Sequence, residues 1–330
     1  MAEFLTFDTD LTAVANAIRA KGGTSAQLVY PNGFVSAIQA IQTGITPKLV
    51  ITTAPGASIT ATPAEGFKVV KGTAGTDGMC TLELPKAGTW NVTAMANSVS
   101  NSQNIVIGTQ NMLLPLYHDT FADNTWEEII AVCRTGIAPD SWAVGDSKTM
   151  TIGGTAYQVD IIGKNHDEYA DGSGTAPLTF QLHDCYSEAK QMYSTNLSGL
   201  GWKNTDMRLT YLPAILALMP AEVQNGIRAV NKKTSEGGNS TTIETVSDTL
   251  FLLSEVEIFG TASSSVAGEG SQYDYYKAGN PKIKKREGVD EFWWERSSAS
   301  GGMFCRVRAN GQAGASNASN SLGVSFAFCF

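Results

Sequence analysis

Apolar positions recur at helical spacing near the start of the chain. In the stretch from Asp10 to Ala20, Leu11, Val14, Ala15 and Ile18 fall at i, i+3, i+4 and i+7, one stripe of a helix. Asp8 or Asp10 is placed to cap it, and Gly22–Gly23 to end it through a left-handed residue. A second short helix is predicted from about Pro31 to Gln42, with Phe34, Ile38 and Ile41 on one face. Helices this short are marginal alone in water, so their stripes need a partner: each other, another copy of the chain, or a docking protein.

Beyond residue 45 the period changes to two. Lys48–Thr52, Ser58–Thr62, Lys68–Gly72, Met79–Leu84, Thr89–Ala96 and Asn101–Ile107 read as short strands. Turn signals such as Pro55-Gly56 and Pro85 to Gly88 separate them. Strands at about 8–12-residue spacing predict a small antiparallel sandwich over 45–110. Trp90, Val92 and Ala94 share its inner face.

Residues 111–330 form a larger domain. A helix is expected at Asn124–Arg134, begun by an Asn124/Glu127 capping pair, with Trp126, Ile129, Ile130 and Cys133 on its inner stripe. Strands are expected at Lys148–Ile152, Thr155–Ile162, Leu178–Leu182 and Thr249–Ile258. Helices are expected at Ser187–Thr195 and over Met207–Met219, where Pro213 marks a break or a start. The final run, Gly323–Phe330, alternates strictly. Val324, Phe326, Phe328 and Phe330 fall on one face, and Ser325, Ala327 and Cys329 on the other, the pattern of a half-buried strand.

Composition narrows the function. The net charge is −8, which argues against a nucleic-acid partner, because duplex binding needs a cationic footprint. No apolar run approaches the ~20 residues of a membrane span, and no secretory signal is expected at the start. Five widely spaced cysteines suggest reduced thiols of a protein made in a cytosol.

Motifs for catalysis are missing. The chain holds no phosphate loop, dinucleotide fingerprint, H-E-x-x-H or G-x-S-x-G. His118, His166 and His183 each precede an Asp, but neighbouring residues point apart, so a dyad is not expected. His183-x-Cys185 has no second ligand pair to complete a metal site. Asp167, Glu168, Asp171 and Ser173 make an oxygen-rich loop without the full series of a calcium loop. No cofactor is expected, with a structural Ca²⁺ left open.

The most informative stretch is 293–330. Trp293, Trp294, Phe304, Val307, Val324, Phe326 and Phe328 are bulky anchors. Between them, 297–302 and 311–321 are almost all Ser, Ala, Gly and Asn, residues that bury little apolar area. A rigid frame presenting short adaptable side chains is a common way to build binding loops; an ordinary Ser/Gly-rich surface loop is the alternative.

The pattern W-W-E-R-S at 293–297, then Phe304 and Val307, an Asn/Ser stretch, and the closing Gly323-Val-Ser-Phe-Ala-Phe328 resembles the variable region of C-type-lectin-fold proteins diversified by retroelements, the family of the major tropism determinant. Trp142 to Asp146, Tyr157 to Gly163, Asp248 to Gly260 and Glu269 to Tyr273 resemble a related gut-phage group. Ser325 departs from the Arg or Ala of many relatives. In that family template adenines of AAY codons are altered, giving NNY; within 297–321 only Met303 and Gln312 fall outside that code.

The resemblance implies a mostly β chain with an α+β head. Residues 1–44 would be a helical attachment or oligomerisation segment, 45–110 an immunoglobulin-like spacer, and 111–330 a C-type lectin fold with its variable region at about 293–330. It implies a non-enzymatic, phage-tail receptor-binding protein of the virion, made in bacterial cytoplasm and expected as a homotrimer. It would contact other tail proteins through its N-terminal segment and a bacterial surface protein or glycan through its head, without membrane insertion. The ligand-binding set implied is Ser298, Ala299, Ser300, Cys305, Arg306, Arg308, Asn310, Ala315, Ser316 and Asn317, all expected to face solvent within 298–317. Two alternatives remain: a structural tail cap with a fixed lectin-like head, and a formylglycine-generating-type enzyme using Cys305 and Cys329.

Overall fold

The computed structural model describes residues 8–22, 28 and 47–330, apart from 65, 67, 108, 109 and 239. Strand is the main regular element. The chain divides into two compact units, one ending at Tyr117 and the other running from His118 to Phe330.

In the first unit, helix α1 spans Asp8–Gly22, two residues longer at its start than the apolar stripe suggests. Ala15 and Ile18 are buried, with Leu11 and Leu28 packed against them. Val14 is 47% exposed, so the inner stripe is narrower than expected. The helix expected at 31–42 lies outside the described residues.

The sandwich follows. Its strands are β1 (Lys48–Thr52), β2 (Ser58–Pro63), β3 (Val70–Thr73), β4 (Met79–Glu83), β5 (Gly88–Ala96), β6 (Val99–Ile107) and β7 (Gln110–Leu113). They form a three-stranded sheet, β4-β1-β7, and a four-stranded sheet, β3-β2-β5-β6. One core of buried side chains, including Leu49, Ile51, Ile59, Leu82, Trp90 and Val92, lies between them. Strand β7 has no counterpart among the strands expected from the sequence. It pairs parallel to β1, and Leu114 and Leu116 join the same core, so the unit reaches beyond residue 110.

The second unit begins with helix α2 (Trp126–Cys133). Its capping box is Thr125/Glu128, one residue later than predicted. Asn124 instead folds the entry loop. Its side chain accepts from the His118 amide at 2.7 Å and donates to the carbonyls of His118 and Thr120. Strands β8 (Ser147–Ile152), β9 (Thr155–Lys164) and β10 (Leu178–Leu182) form where strands are expected, and they pair antiparallel.

The segment 187–195 is not a helix. Its backbone pairs with the end of the chain instead: Lys190 exchanges bonds with Leu322, and Met192 and Tyr193 both donate to the Ala318 carbonyl. Over 207–219 a π-helical turn (Met207–Tyr211) runs into α3 (Leu212–Leu216), with Pro213 near the junction of the two. Helix α4 (Ala221–Gly226) and the antiparallel ribbon of β11 (Val230–Ser235) and β12 (Ile243–Asp248) follow.

Residues 249–258 do not form one strand. Phe251 bridges to Ala327, then Ser254 and Glu257 build a capping box that starts α5 (Glu255–Phe259). Gly260, with φ at 76°, ends it. The local cap signal outweighs the apolar run LFLL before it.

Helix α6 (Asp274–Lys277), the hairpin of β13 (Lys284–Arg286) and β14 (Val289–Glu291), and a sheet of β15 (Trp293–Ser298), β16 (Met303–Val307) and β17 (Ala313–Asn317) complete the unit. The last strand, β18 (Ala327–Cys329), pairs antiparallel with β10. It is shorter than expected, and the run from Val324 to Phe330 is buried on both faces rather than one. Phe328 and Phe330 stack into the ring cluster around Phe180, while Ser325 donates to the Leu182 carbonyl at 2.9 Å. Buried on both faces, a strand gains no solvated side to keep polar.

Candidate ligand-binding surface

The sheet β15–β17 is built on the W-W-E-R-S motif, and each member has a separate job. The Trp293 indole donates to the Lys282 carbonyl at 2.9 Å, and the Trp294 indole to the Lys190 carbonyl at 2.8 Å. These two bonds fix the strand to segments far away in sequence. Ser297 Oγ accepts from the Glu255 amide at the start of α5, at 3.0 Å.

Arg296 is the hub. Its guanidinium forks onto the Glu257 carboxylate, and donates to the carbonyls of Leu252, Lys233 and Glu269 at 2.9–3.0 Å. Glu257 also takes Lys232 at 2.8 Å, and Lys232 pairs with Asp167 at 2.6 Å. Thr179 and Tyr273 donate to the same Asp167 carboxylate. All four charges are buried, so each must be compensated. Burial by itself would raise the Asp167 carboxyl; the charge and hydrogen bond of Lys232 outweigh it and hold the group at about 2. For Lys232, burial pulls down, but the neighbouring carboxylates of Asp167 and Glu257 win and raise it.

Glu295 breaks this rule. It is fully buried, and neither carboxylate oxygen has a hydrogen-bond partner among the described residues. Burial, reinforced by the charges of Glu255 and Glu269, pushes its carboxyl well above the ordinary range despite the opposing Arg296. Its surroundings therefore favour the protonated, neutral form of the Glu295 carboxyl.

The expected site residues divide by exposure. Ser300, Arg308, Asn310 and Asn317 are exposed, and Arg306, Ala315 and Ser316 are partly exposed. Ser298, Ala299 and Cys305 are buried, contrary to expectation. Ser298 pairs across the sheet with Phe304 and donates to the Gly238 carbonyl at 2.9 Å. Ala299 is held through both backbone groups, by the Met303 carbonyl and the Ser198 hydroxyl. Cys305 lies between Phe304 and Arg306 on β16, and its side chain points inward toward Glu255. Burial and the nearby carboxylates raise its thiol steeply, the opposite of an activated nucleophile.

The other chemical candidates have structural partners. His183 Nδ1 meets Asp160 at 2.7 Å, not the adjacent Asp184. Asp171 of the oxygen-rich loop pairs with Arg228 at 2.6 Å, and Asp167 is taken by Lys232. Among the described residues no three His, Cys, Asp or Glu side chains are grouped to hold a metal ion. All five cysteines are free and buried.

Sequence reasoning missed the Lys232–Asp167–Glu257–Arg296 network, whose Asp167, Lys232 and Glu257 form part of the lining of an open cleft of about 420 Å³. Its one signal was a lysine at a core-facing position of β11, flanked two residues either side by the buried Val230 and Thr234.

A family model described as a domain of unknown function, DUF6273, matches residues 179–330. That span holds the whole β15–β17 sheet, the closing strand and most of the ion network. No curated protein matches the chain.

Proposed function

We propose that the chain is a receptor- or ligand-binding protein of a phage tail, carrying a diversified surface on a C-type-lectin-like head. One observation supports this reading above the others. Trp293, Trp294, Phe304, Val307, Val324, Phe326 and Phe328 are all fully buried, while Ser300, Arg308, Asn310 and Asn317 stand exposed between them. Such a surface can change residue by residue while its frame stays fixed.

On this reading the protein is not an enzyme and needs no cofactor. The sandwich serves as an immunoglobulin-like spacer, the N-terminal segment joins copies into a homotrimer and meets other tail proteins, and the virion presents the head to a bacterial surface protein or glycan. The exposed side chains in this copy are mostly small, so affinity per head is modest and trimeric presentation multiplies it. Retroelement-driven variation would act on the exposed codons.

The structural-cap alternative draws on the burial of Ser298, Ala299 and Cys305, which leaves a smaller variable face than the full set. Binding of the full chain to a panel of bacterial cells separates the two. Substitutions at Ser300, Asn310 and Asn317 that shift or abolish binding, with the fold intact, support a binding head. Binding that never responds to these positions supports a cap.

A further inference from the structure

Arg306 and Arg308 differ from four of the five other arginines of the head. Arg208, Arg228, Arg286 and Arg296 are each held by a carboxylate. Among the described residues neither Arg306 nor Arg308 has an acidic side chain in ion-pair range. The chain as a whole carries a net charge of −8, so two adjacent unpaired cations are not a by-product of a basic surface.

Their positions are built. Arg306 stacks its guanidinium 4.2 Å above the Phe292 ring and donates Nε to the Ala315 carbonyl at 3.1 Å. That leaves its two terminal nitrogens as a fork. Directly across the sheet from Arg306 sits Gly314. A Cβ on Gly314 would meet Arg308 Nε at 2.7 Å, and its three nearest atoms would all belong to Arg308. The glycine leaves the space in which the second guanidinium lies, on the same face as the first. The tight turn from Arg308 to Gln312, closed by bonds of 2.7 Å, carries that second arginine. Each guanidinium lies in the other's field, an arrangement that an intervening anion stabilises.

We propose that Arg306 and Arg308 form a two-pronged clamp for the anionic groups, carboxylate or phosphate, of an acidic cell-surface polysaccharide. This rests on the ligand-binding reading of the surface. A saccharide suits the neighbours: Ser316, two residues from Gly314 on the same face of β17, and Asn310, in the turn that carries Arg308, offer a hydroxyl and an amide matched to sugar hydroxyls. A repeating charge suits a multivalent protein.

The test uses the full chain on three immobilised polymers: polygalacturonate for carboxylate, poly(glycerol phosphate) for phosphate, and neutral dextran. The expected result is retention on at least one anionic polymer and not on dextran, weakening as salt rises. Arg306→Ala with Arg308→Ala should lower affinity at least tenfold. Gly314→Ala keeps every charge and displaces only the Arg308 side chain; it should weaken binding several-fold with an unchanged circular dichroism spectrum. Which polymer retains the protein identifies the anion. Retention on neither anionic polymer, equal retention on dextran, or full retention by the double variant overturns the clamp. Cell binding that depends on Ser300, Asn310 and Asn317 but not on the arginines overturns the clamp and leaves the binding head standing. Cell binding indifferent to all five positions removes both.

Discussion

Arg296 grips Glu257 through both prongs of its guanidinium, and neither side chain reaches solvent. The pair links β15 to α5, and through Lys232 and Asp167 to the β11 ribbon and the corner after β9. The frame under the candidate surface is therefore an electrostatic lattice as well as an apolar core.

Removing one partner of this lattice strands the other in a low-dielectric interior. Arg296→Ala is expected to cost about 3–5 kcal/mol, the range for breaking a buried pair. Arg296→Lys should recover little of it, because an ammonium cannot span both Glu257 oxygens and the carbonyls of Leu252, Lys233 and Glu269 together. Denaturant unfolding of the two variants beside the parent checks both statements.

Glu295 gives the opposite expectation for a charge deletion. Its carboxyl is raised in the folded state, so the folded form holds a proton that the unfolded form releases near the ordinary value of 4.5. The stability this group contributes is complete below that value and declines as pH rises toward its folded value. Glu269 is raised as well, mainly by burial, and acts in the same direction. Asp167, held at about 2 against an ordinary 3.8, acts the other way, but only below about pH 4. Glu295→Gln should therefore be at least as stable as the parent at pH 7, with a flatter decline of Tm as pH rises above 4.5. A Tm series across that range measures it, and a variant that is less stable with an unchanged slope would count against a neutral Glu295.

Frame and surface should separate in stability. Phe304 and Phe326 are fully buried, and truncating either to Ala is expected to cost about 3–5 kcal/mol. Ala at Ser300 or Asn317 should stay within about 0.5 kcal/mol, as exposed positions without special roles do, while Ala at Asn310 should cost about 1 kcal/mol, because its side chain accepts from the Gln312 amide in the Arg308 turn. Chemical denaturation of the five variants gives the comparison.

The thiols should be silent in the native state. Burial raises Cys133 and Cys185 to about 12, and raises Cys305 and Cys329 as well. A thiol-specific reagent at pH 8 should label none of these four until denaturant is added. Rapid labelling of Cys305 in the native protein would favour the thiol-enzyme reading.

Much of the fold was legible because side-chain periodicity is local. Trp90, Val92 and Ala94 announced the inner face of β5, and strands β8 to β10 lie within a residue or two of their expected bounds. Failures came where long-range pairing overrode local pattern. Residues 187–195 had helical character, but the Ala318–Leu322 segment captured their backbone groups. Alternation in the last eight residues suggested one wet face, but both faces are covered, one by the rings around Phe180 and the other, at Cys329, by Thr179 and Asp167. At the candidate surface, residue type indicated which positions were small but not which were exposed. Cys305 and Arg306 are neighbours on β16, and the pleat sends one inward and the other outward.

The most direct test of a diversified binding head is deep sequencing of the last ~120 bases of the gene across many particles or lysogens from one population, with a search for a near-identical non-coding repeat nearby. Substitutions should gather in adenine-derived codons at the exposed and half-exposed positions: 300, 306, 308, 310 and 315–317. Trp293, Trp294, Arg296, Phe304, Val307 and Phe326 should stay fixed. An invariant 3′ end without a repeat, or variation falling equally on buried and exposed codons, would contradict it.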